Sequence, residues 1–206
     1  MTSPSGLSPA PRPLGRARRI VVVGIGGSGK STLATSLAAL LRLPYVELDA
    51  LHWEANWTPA GDATFRARTA DALSTDGWVA DGNYHKVRDI VWSRADTLIW
   101  LDYPLRVNLW RLTKRTVRRV FQREVLWNGN TERFREAFLS RDSLYVWAVK
   151  RYRSRRREYD ALLAQSEYSH LRVVRLHSPA ATDRWLGREQ ERAGNGNRTR
   201  AFSLGS

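Results

Sequence analysis

Gly24-Ile25-Gly26-Gly27-Ser28-Gly29-Lys30-Ser31 is the stretch that decides how this chain folds. Glycine lets the backbone turn tightly and aim consecutive N–H groups at one anion. A helix that starts at the lysine adds its positive N-terminus to the same anion. Gly24, Gly29, Lys30 and Ser31 complete the P-loop pattern. Its four fixed positions arise by chance in roughly one chain in a hundred of this length, and the flanks narrow that further. Upstream, Ile20-Val21-Val22-Val23 is a β-branched run of the kind a buried parallel strand uses. Downstream, Leu33, Leu37, Leu40 and Leu41 recur at helical spacing. The reading is strand, phosphate cradle, helix. Gly24, Gly26, Gly27, Ser28, Gly29, Lys30, Ser31 and Thr32 are the expected ATP contacts. Lys30 would bridge the β- and γ-phosphates and Ser31 would hold Mg²⁺.

Outward from the cradle, short apolar runs alternate with helical periodicity. Strands are expected at residues 45–48, 78–80, 97–101 and 171–176. Helices are expected at 62–74, 86–92, 131–164 and 180–187. A long helix after Pro104 carries Leu105, Leu109, Leu112, Thr116, Val120 and Phe121 as its apolar stripe. Strands alternating with helices imply a five-stranded parallel sheet covered on both faces, a three-layer α/β/α P-loop fold. Two connections are too long to be ordinary loops. They are read as inserts at the ligand end of the sheet: one at about 50–77, and a helical, arginine-rich one at about 105–165. The domain spans 18–186. Residues 1–17, rich in proline, and 187–206, with little to bury, are expected to be disordered tails.

The 206 residues are 42% hydrophobic, enough for a core. With no cysteine, disulfides and thiolate metal sites are excluded. No apolar run reaches the roughly 20 residues of a membrane helix, and a cytoplasmic location is the expectation. Net charge is +14, and residues 106–160 hold 16 Lys/Arg against 6 Asp/Glu. Such a stretch suits polyphosphate, nucleic acid or a solvated face. The chain has no recognisable nucleic-acid reading module.

Neither the guanine-reading Asn-Lys-x-Asp motif nor the Leu-Ser-Gly-Gly transporter signature occurs. The fourth strand ends Leu101-Asp102-Tyr103-Pro104, without the adjacent glutamate of hydrolytic ATPases. What remains resembles the adenylate kinase-like small-molecule kinases. More narrowly, four stretches resemble the bacterial adenylate kinase-like proteins labelled DNA topology modulation proteins. They are Glu47-Leu48-Asp49-Ala50-Leu51-His52-Trp53, Asp81-Gly82-Asn83-Tyr84, Trp100-Leu101-Asp102-Tyr103-Pro104 and Leu126-Trp127-Asn128-Gly129-Asn130. The resemblance covers about residues 18–186. Adenylate kinases carry Gly-Phe-Pro-Arg where this chain has Gly82-Asn83-Tyr84-His85, so AMP is not implied as acceptor.

The resemblance implies ATP-dependent phosphoryl transfer to a small acceptor, a nucleotide or nucleoside among the candidates. Asp49 would bind or deprotonate the acceptor hydroxyl, and Asp81 would hold magnesium through water. His52, Trp53, Trp57, Asn83, Tyr84 and Arg88 would surround the acceptor, the aromatics serving equally as core. Asp102 stands as a site acid or a structural one. His177-Ser178-Pro179 follows the last strand where relatives contact adenine. Charge on the transferring group calls for cations. Arg115 and Arg119, one turn apart, are the first candidates, then Arg123, Arg151, Arg155 and Arg156. An ATP-regulated nucleic-acid-binding protein is the alternative, motivated by the basic stretch and the run 153–157. Oligomeric state is not legible in this sequence.

Overall fold

The computed structural model describes residues 14, 15, 17–122, 127–130 and 144–203. Arg123, Leu126 and the expected helical turns over 131–143 lie outside the described residues, as do the side chains of Leu144, Trp147 and Arg151. Five strands form one sheet: β1 (Arg19–Gly24), β2 (Tyr45–Glu47), β3 (Trp78–Asp81), β4 (Thr97–Leu101) and β5 (Arg172–Leu176). Their order is β2-β3-β1-β4-β5, and every pairing is parallel. The chain therefore builds out from β1 in both directions. The loop after β1 sits at the switch point of the sheet, where α/β folds bind ligands.

Alternation along β1 divides the core into two layers. Val21 and Val23 face one side, with α3 (Asp62–Ala72), α4 (Arg88–Arg94) and α6 (Leu144–Leu163). Phe65, Trp78, Trp92 and Tyr159 fill that layer. Ile20 and Val22 face the other side, against α1 (Lys30–Leu41) and α7 (Pro179–Ser203), where Leu33, Leu37 and Trp185 are buried. This is the expected three-layer α/β/α architecture. The short α2 (Leu48–His52) follows β2 directly, so Asp49 lies in the first turn of a helix rather than at a strand end. The long α5 (Leu105–Gln122) follows β4.

Described structure continues beyond residues 18–186 on both sides. Leu14 is buried, its N–H donates to the buried Glu189 carboxylate at 3.0 Å, and Arg172 donates to its carbonyl at 2.7 Å. The last helix continues past Gly187 to Ser203. Gly187, Gly194 and Gly196 each cost only about 1 kcal/mol inside the helix, and Glu189, with its bonds to Leu14 and Arg192, anchors the turn after Gly187. Along α5, Leu112 and Thr116 are buried as expected, but Phe121 is 82% exposed. Nine residues separate Phe121 from Leu112, two and a half helical turns, so the two point to opposite sides. Among the described residues no helix is long and apolar enough to cross a membrane.

Candidate functional site

The cradle joins the end of β1 to the start of α1. Gly24, Gly27 and Gly29 have φ of 156°, 80° and 90°. Gly27 also admits no side chain: a Cβ there would strike the Asn108 carbonyl and lie 2.9 Å from the Leu112 nitrogen of α5. A Cβ on Gly29 would lie 2.9 Å from an Arg111 guanidinium nitrogen. α5 thus lies directly on the loop. Gly29 caps α1 without any side-chain hydrogen bond, and the first turn holds no acid. Its N–H groups and dipole are left for an anion. The Ser28 hydroxyl is buried beside Gly24 without a partner. A phosphate chain fits this cradle.

Parallel pairing brings the carboxyl ends of β1, β2 and β3 to the same edge, with Glu47 and Val22 both in register with Asp81. The Ser31 hydroxyl donates to Asp81 at 2.8 Å, and the Tyr45 hydroxyl donates to its other oxygen at 2.9 Å. Ser31 and Asp81 are the expected metal pair. They offer two hard oxygens side by side, the donors Mg²⁺ takes while keeping waters and phosphate oxygens as its other ligands. No group of three or more His, Asp or Glu side chains suited to a metal occurs among the described residues.

Burial lowers the Lys30 pKa below the usual lysine value. Asp81 and Asp49 oppose that shift, and the cations of Arg115 and Arg155 add to it. Burial raises Asp81, against Lys30, Ser31 and Tyr45. Burial also raises Glu47, against a 2.8 Å hydrogen bond donated by the Trp127 indole; Asp81 and Asp49 push it further up and Arg119 pulls it down. One ammonium thus sits among two carboxylates and two guanidinium groups drawn from β3, α2, α5 and α6. Arg115 acts electrostatically on Lys30 and Arg119 on Glu47, from positions one turn apart on α5. The sequence reading missed Tyr45, Glu47 and Arg111. Strand alternation, which puts Tyr45 and Glu47 on one side of β2, was the available signal for the first two.

No protein-family model matches this chain, and neither does any curated protein. Among solved structures, a shikimate kinase from Bacteroides thetaiotaomicron superposes with a TM-score of 0.51 at 15% identity, over 85% of this chain and 97% of that one. A gluconokinase from Sinorhizobium meliloti 1021 gives 0.48 at 19% identity, over 89% and 97%. This chain has the fold of the Bacteroides kinase. At that identity the likeness speaks of fold alone. The resemblance to adenylate kinase-like proteins rests on the sequence stretches quoted above.

On the acceptor side, the Tyr84 hydroxyl donates to Asp49 at 2.5 Å. His52 is buried against Trp53, Phe65 and Tyr84, with ring centroids 4.5–4.8 Å apart, and its Nδ1 has no partner. Burial and Lys86 lower its pKa. Trp53, Trp57 and Trp127 follow edge to face. The turn Trp127–Gly129 and Asn130 bind this insert closely: Asn130 accepts from the Trp57 N–H at 2.8 Å and donates to the Glu54 carbonyl at 2.8 Å, and Asn128 donates to the Trp53 carbonyl at 2.5 Å. Lid and acceptor insert are therefore held together over Glu47.

Two predicted acceptor contacts are used elsewhere. Arg88 pairs with Glu158 of α6 and lies over the Trp92 ring, because its position at the start of α4 points it at that helix. Asn83 turns to the phosphate loop instead, bonding both the N–H and the carbonyl of Gly24. Thr32 is exposed on the first turn of α1. Ser178 caps α7, its hydroxyl accepting the Ala181 N–H at 3.2 Å.

Asp102 is 4% exposed and pairs with Arg156 of α6 and Arg175 of β5 at 2.8 Å, with His177 Nδ1 3.5 Å away. Arg175 also lies 3.9 Å over the Trp100 ring. The geometry is that of a tie between lid helix and sheet. Asp102→Asn is expected to lower stability by about 2 kcal/mol, since hydrogen bonds to charged groups contribute roughly 1.5–3 each and both arginines keep water as an alternative. For a domain of this size that is about 4–8 °C in Tm by calorimetry, with Mg·ATP affinity unchanged. An unchanged Tm with lost affinity would instead make Asp102 a site acid.

Proposed function

We propose that this protein transfers the terminal phosphoryl group of ATP to the hydroxyl of a small acceptor. One observation carries the reading. Asp81 is hydrogen-bonded by Ser31 and Tyr45, whereas Asp49 is hydrogen-bonded by Tyr84 and takes no part in the Ser31 and Asp81 pair. Two acids at one ammonium thus have separable tasks. Asp81 and Ser31 would hold Mg²⁺ with the nucleotide. Asp49, hydrogen-bonded by Tyr84, would face the acceptor hydroxyl, orient it and take its proton. Lys30, Arg115 and Arg155 would bear the charge on the transferring oxygens, with Arg111 and Arg119 beside them. Bound Mg²⁺ would neutralise phosphate charge and align the chain. The contacts between lid and acceptor insert would keep water from the reacting atoms.

The acceptor class is tested by a coupled ADP-release screen over nucleosides, nucleotides, sugars, polyols and hydroxy acids. The expected result is Mg²⁺-dependent ADP release that one chemical class raises well above background hydrolysis. Tight Mg·ATP binding with no acceleration by any class would count against transfer and for a nucleotide-binding protein without turnover.

The nucleic-acid alternative loses part of its ground. Within the run 153–157, Arg155 is buried and bonded to Asn83, and Arg156 is paired with Asp102. Neither is part of an open basic face. Retention on duplex DNA across a salt series is the check, because backbone binding is steeply salt-dependent.

A further inference from the structure

Asn83 stands directly after the Asp81-Gly82 turn and touches two parts of the site that are remote in sequence. Its Oδ1 accepts the Gly24 N–H at 3.1 Å, while its Nδ2 donates to the Gly24 carbonyl. The amide thus pairs both polar groups of the residue that opens the cradle, as a neighbouring strand would. Gly24 is a constrained position: its φ is 156°, and a Cβ there would lie 2.7 Å from Ser28 Oγ and 2.9 Å from the Leu101 carbonyl oxygen. The same Oδ1 accepts the Tyr159 hydroxyl at 3.1 Å. The Asn83 backbone carbonyl accepts Arg155 Nη1 at 3.1 Å, and that nitrogen lies 3.4 Å from the Tyr159 oxygen. Tyr159 and Arg155 are one turn apart on α6, and both are buried. Arg155 in turn is one of the two cations acting on Lys30.

We propose that Asn83 is a positioning residue that ties the first peptide of the phosphate cradle to α6, so that filling the cradle and seating Arg155 are coupled. The inference rests on the phosphoryl-transfer reading for its purpose, but not for its geometry. A shift of the Gly24 peptide on anion binding changes what Asn83 Oδ1 offers Tyr159. A shift of α6 changes what it offers Gly24. No other residue type fills the position equally: Asp keeps both acceptor bonds but loses the donor to the Gly24 carbonyl, and Ala loses all three side-chain bonds.

Hydrogen exchange of the full chain tests this, on wild type, Asn83→Ala, Asn83→Asp and Tyr159→Phe, with and without Mg·ADP. Without nucleotide, Asn83→Ala is expected to raise exchange both at 24–31 and at 152–163. Its Mg·ADP affinity should fall roughly 10-fold, the equivalent of one or two lost hydrogen bonds. At saturating Mg·ADP the wild type should gain protection at 152–163. Asn83→Ala should gain none, Tyr159→Phe should gain little, and Asn83→Asp should keep most of it. A merely structural asparagine would lower Tm while leaving that nucleotide-induced protection intact, and this result overturns the proposal. So does unchanged exchange at both segments without nucleotide. If the alanine variant fails to fold, the aspartate and phenylalanine variants decide by the same readout. If wild type takes no Mg·ADP, both the functional reading and the coupling to cradle filling fail, while the exchange of the nucleotide-free proteins still decides whether Asn83 ties 24–31 to 152–163.

Discussion

Replacing Lys30 with alanine is expected to cut phosphoryl transfer by about 10³-fold, the scale on which preorganised cations act at a transferring phosphoryl group, and to weaken Mg·ATP binding with it. The reason lies in the charge balance of the site. Asp81, Asp49, Arg115 and Arg155 all act on the Lys30 ammonium. Without it, Asp81 and Asp49 repel each other and the incoming phosphates with only the guanidinium groups to offset them. Burial disfavours the charged form of Lys30, and an arriving polyanion is a partner that favours it. Lys30→Arg keeps the charge but replaces a compact ammonium with a planar fork. The Arg111 guanidinium already crowds Gly29, so that variant should recover little. Calorimetric titration with Mg·ATP and the ADP-release assay give the two readouts. Transfer that survives Lys30→Ala near wild-type rates would sink the proposed function.

Much of this site was legible because a P-loop states its own surroundings. The run Ile20 to Val23 required a parallel strand, and a parallel sheet sends every strand's carboxyl end to one edge. The resemblance to adenylate kinase-like proteins set Asp81 beside Ser31 at the expected metal, and the Ser31 hydroxyl donates to Asp81 at 2.8 Å. Periodicity could say which face of α5 is buried near Leu112, but the stripe was drawn one residue type too generously and took in Phe121. What stayed hidden depends on how helices far apart in sequence meet. Arg88 and Glu158 are 70 positions apart, and Asn83 and Tyr159 are 76. Nothing local tells an arginine whether a phosphate or a glutamate will face it. Asn83 was read as an acceptor contact because the Asp-Gly turn points it at the ligand edge. Its amide instead matches the Gly24 peptide in both donor and acceptor, a complementarity visible only once β1 and β3 are paired. The extent of α7 was hidden for a similar reason: the Glu189 carboxylate is met by the Leu14 N–H, 175 positions away.

Asp49→Asn is expected to lower kcat by about 10²–10⁴-fold, the range associated with a positioned acid or base, and to leave Mg·ATP binding intact or slightly tighter. The substitution keeps size and shape, and the Tyr84 hydroxyl can still donate to the amide oxygen as it does to the carboxylate at 2.5 Å. What disappears is one negative charge beside Lys30 and the capacity to take a proton. Removing an anion from beside a polyphosphate site favours the nucleotide, so the sign on ATP affinity is opposite to that of Lys30→Ala. The two variants together separate the nucleotide half of the site from the acceptor half. Single-turnover rates at saturating Mg·ATP and acceptor measure the first effect, and equilibrium titration without acceptor measures the second. Should Asp49→Asn lose ATP affinity as Lys30→Ala does, Asp49 belongs with Ser31 and Asp81 at the metal, and the acceptor hydroxyl must be held by another group. The buried His52, its Nδ1 without a partner and its ring 4.5 Å from that of Tyr84, is then the next side chain to replace.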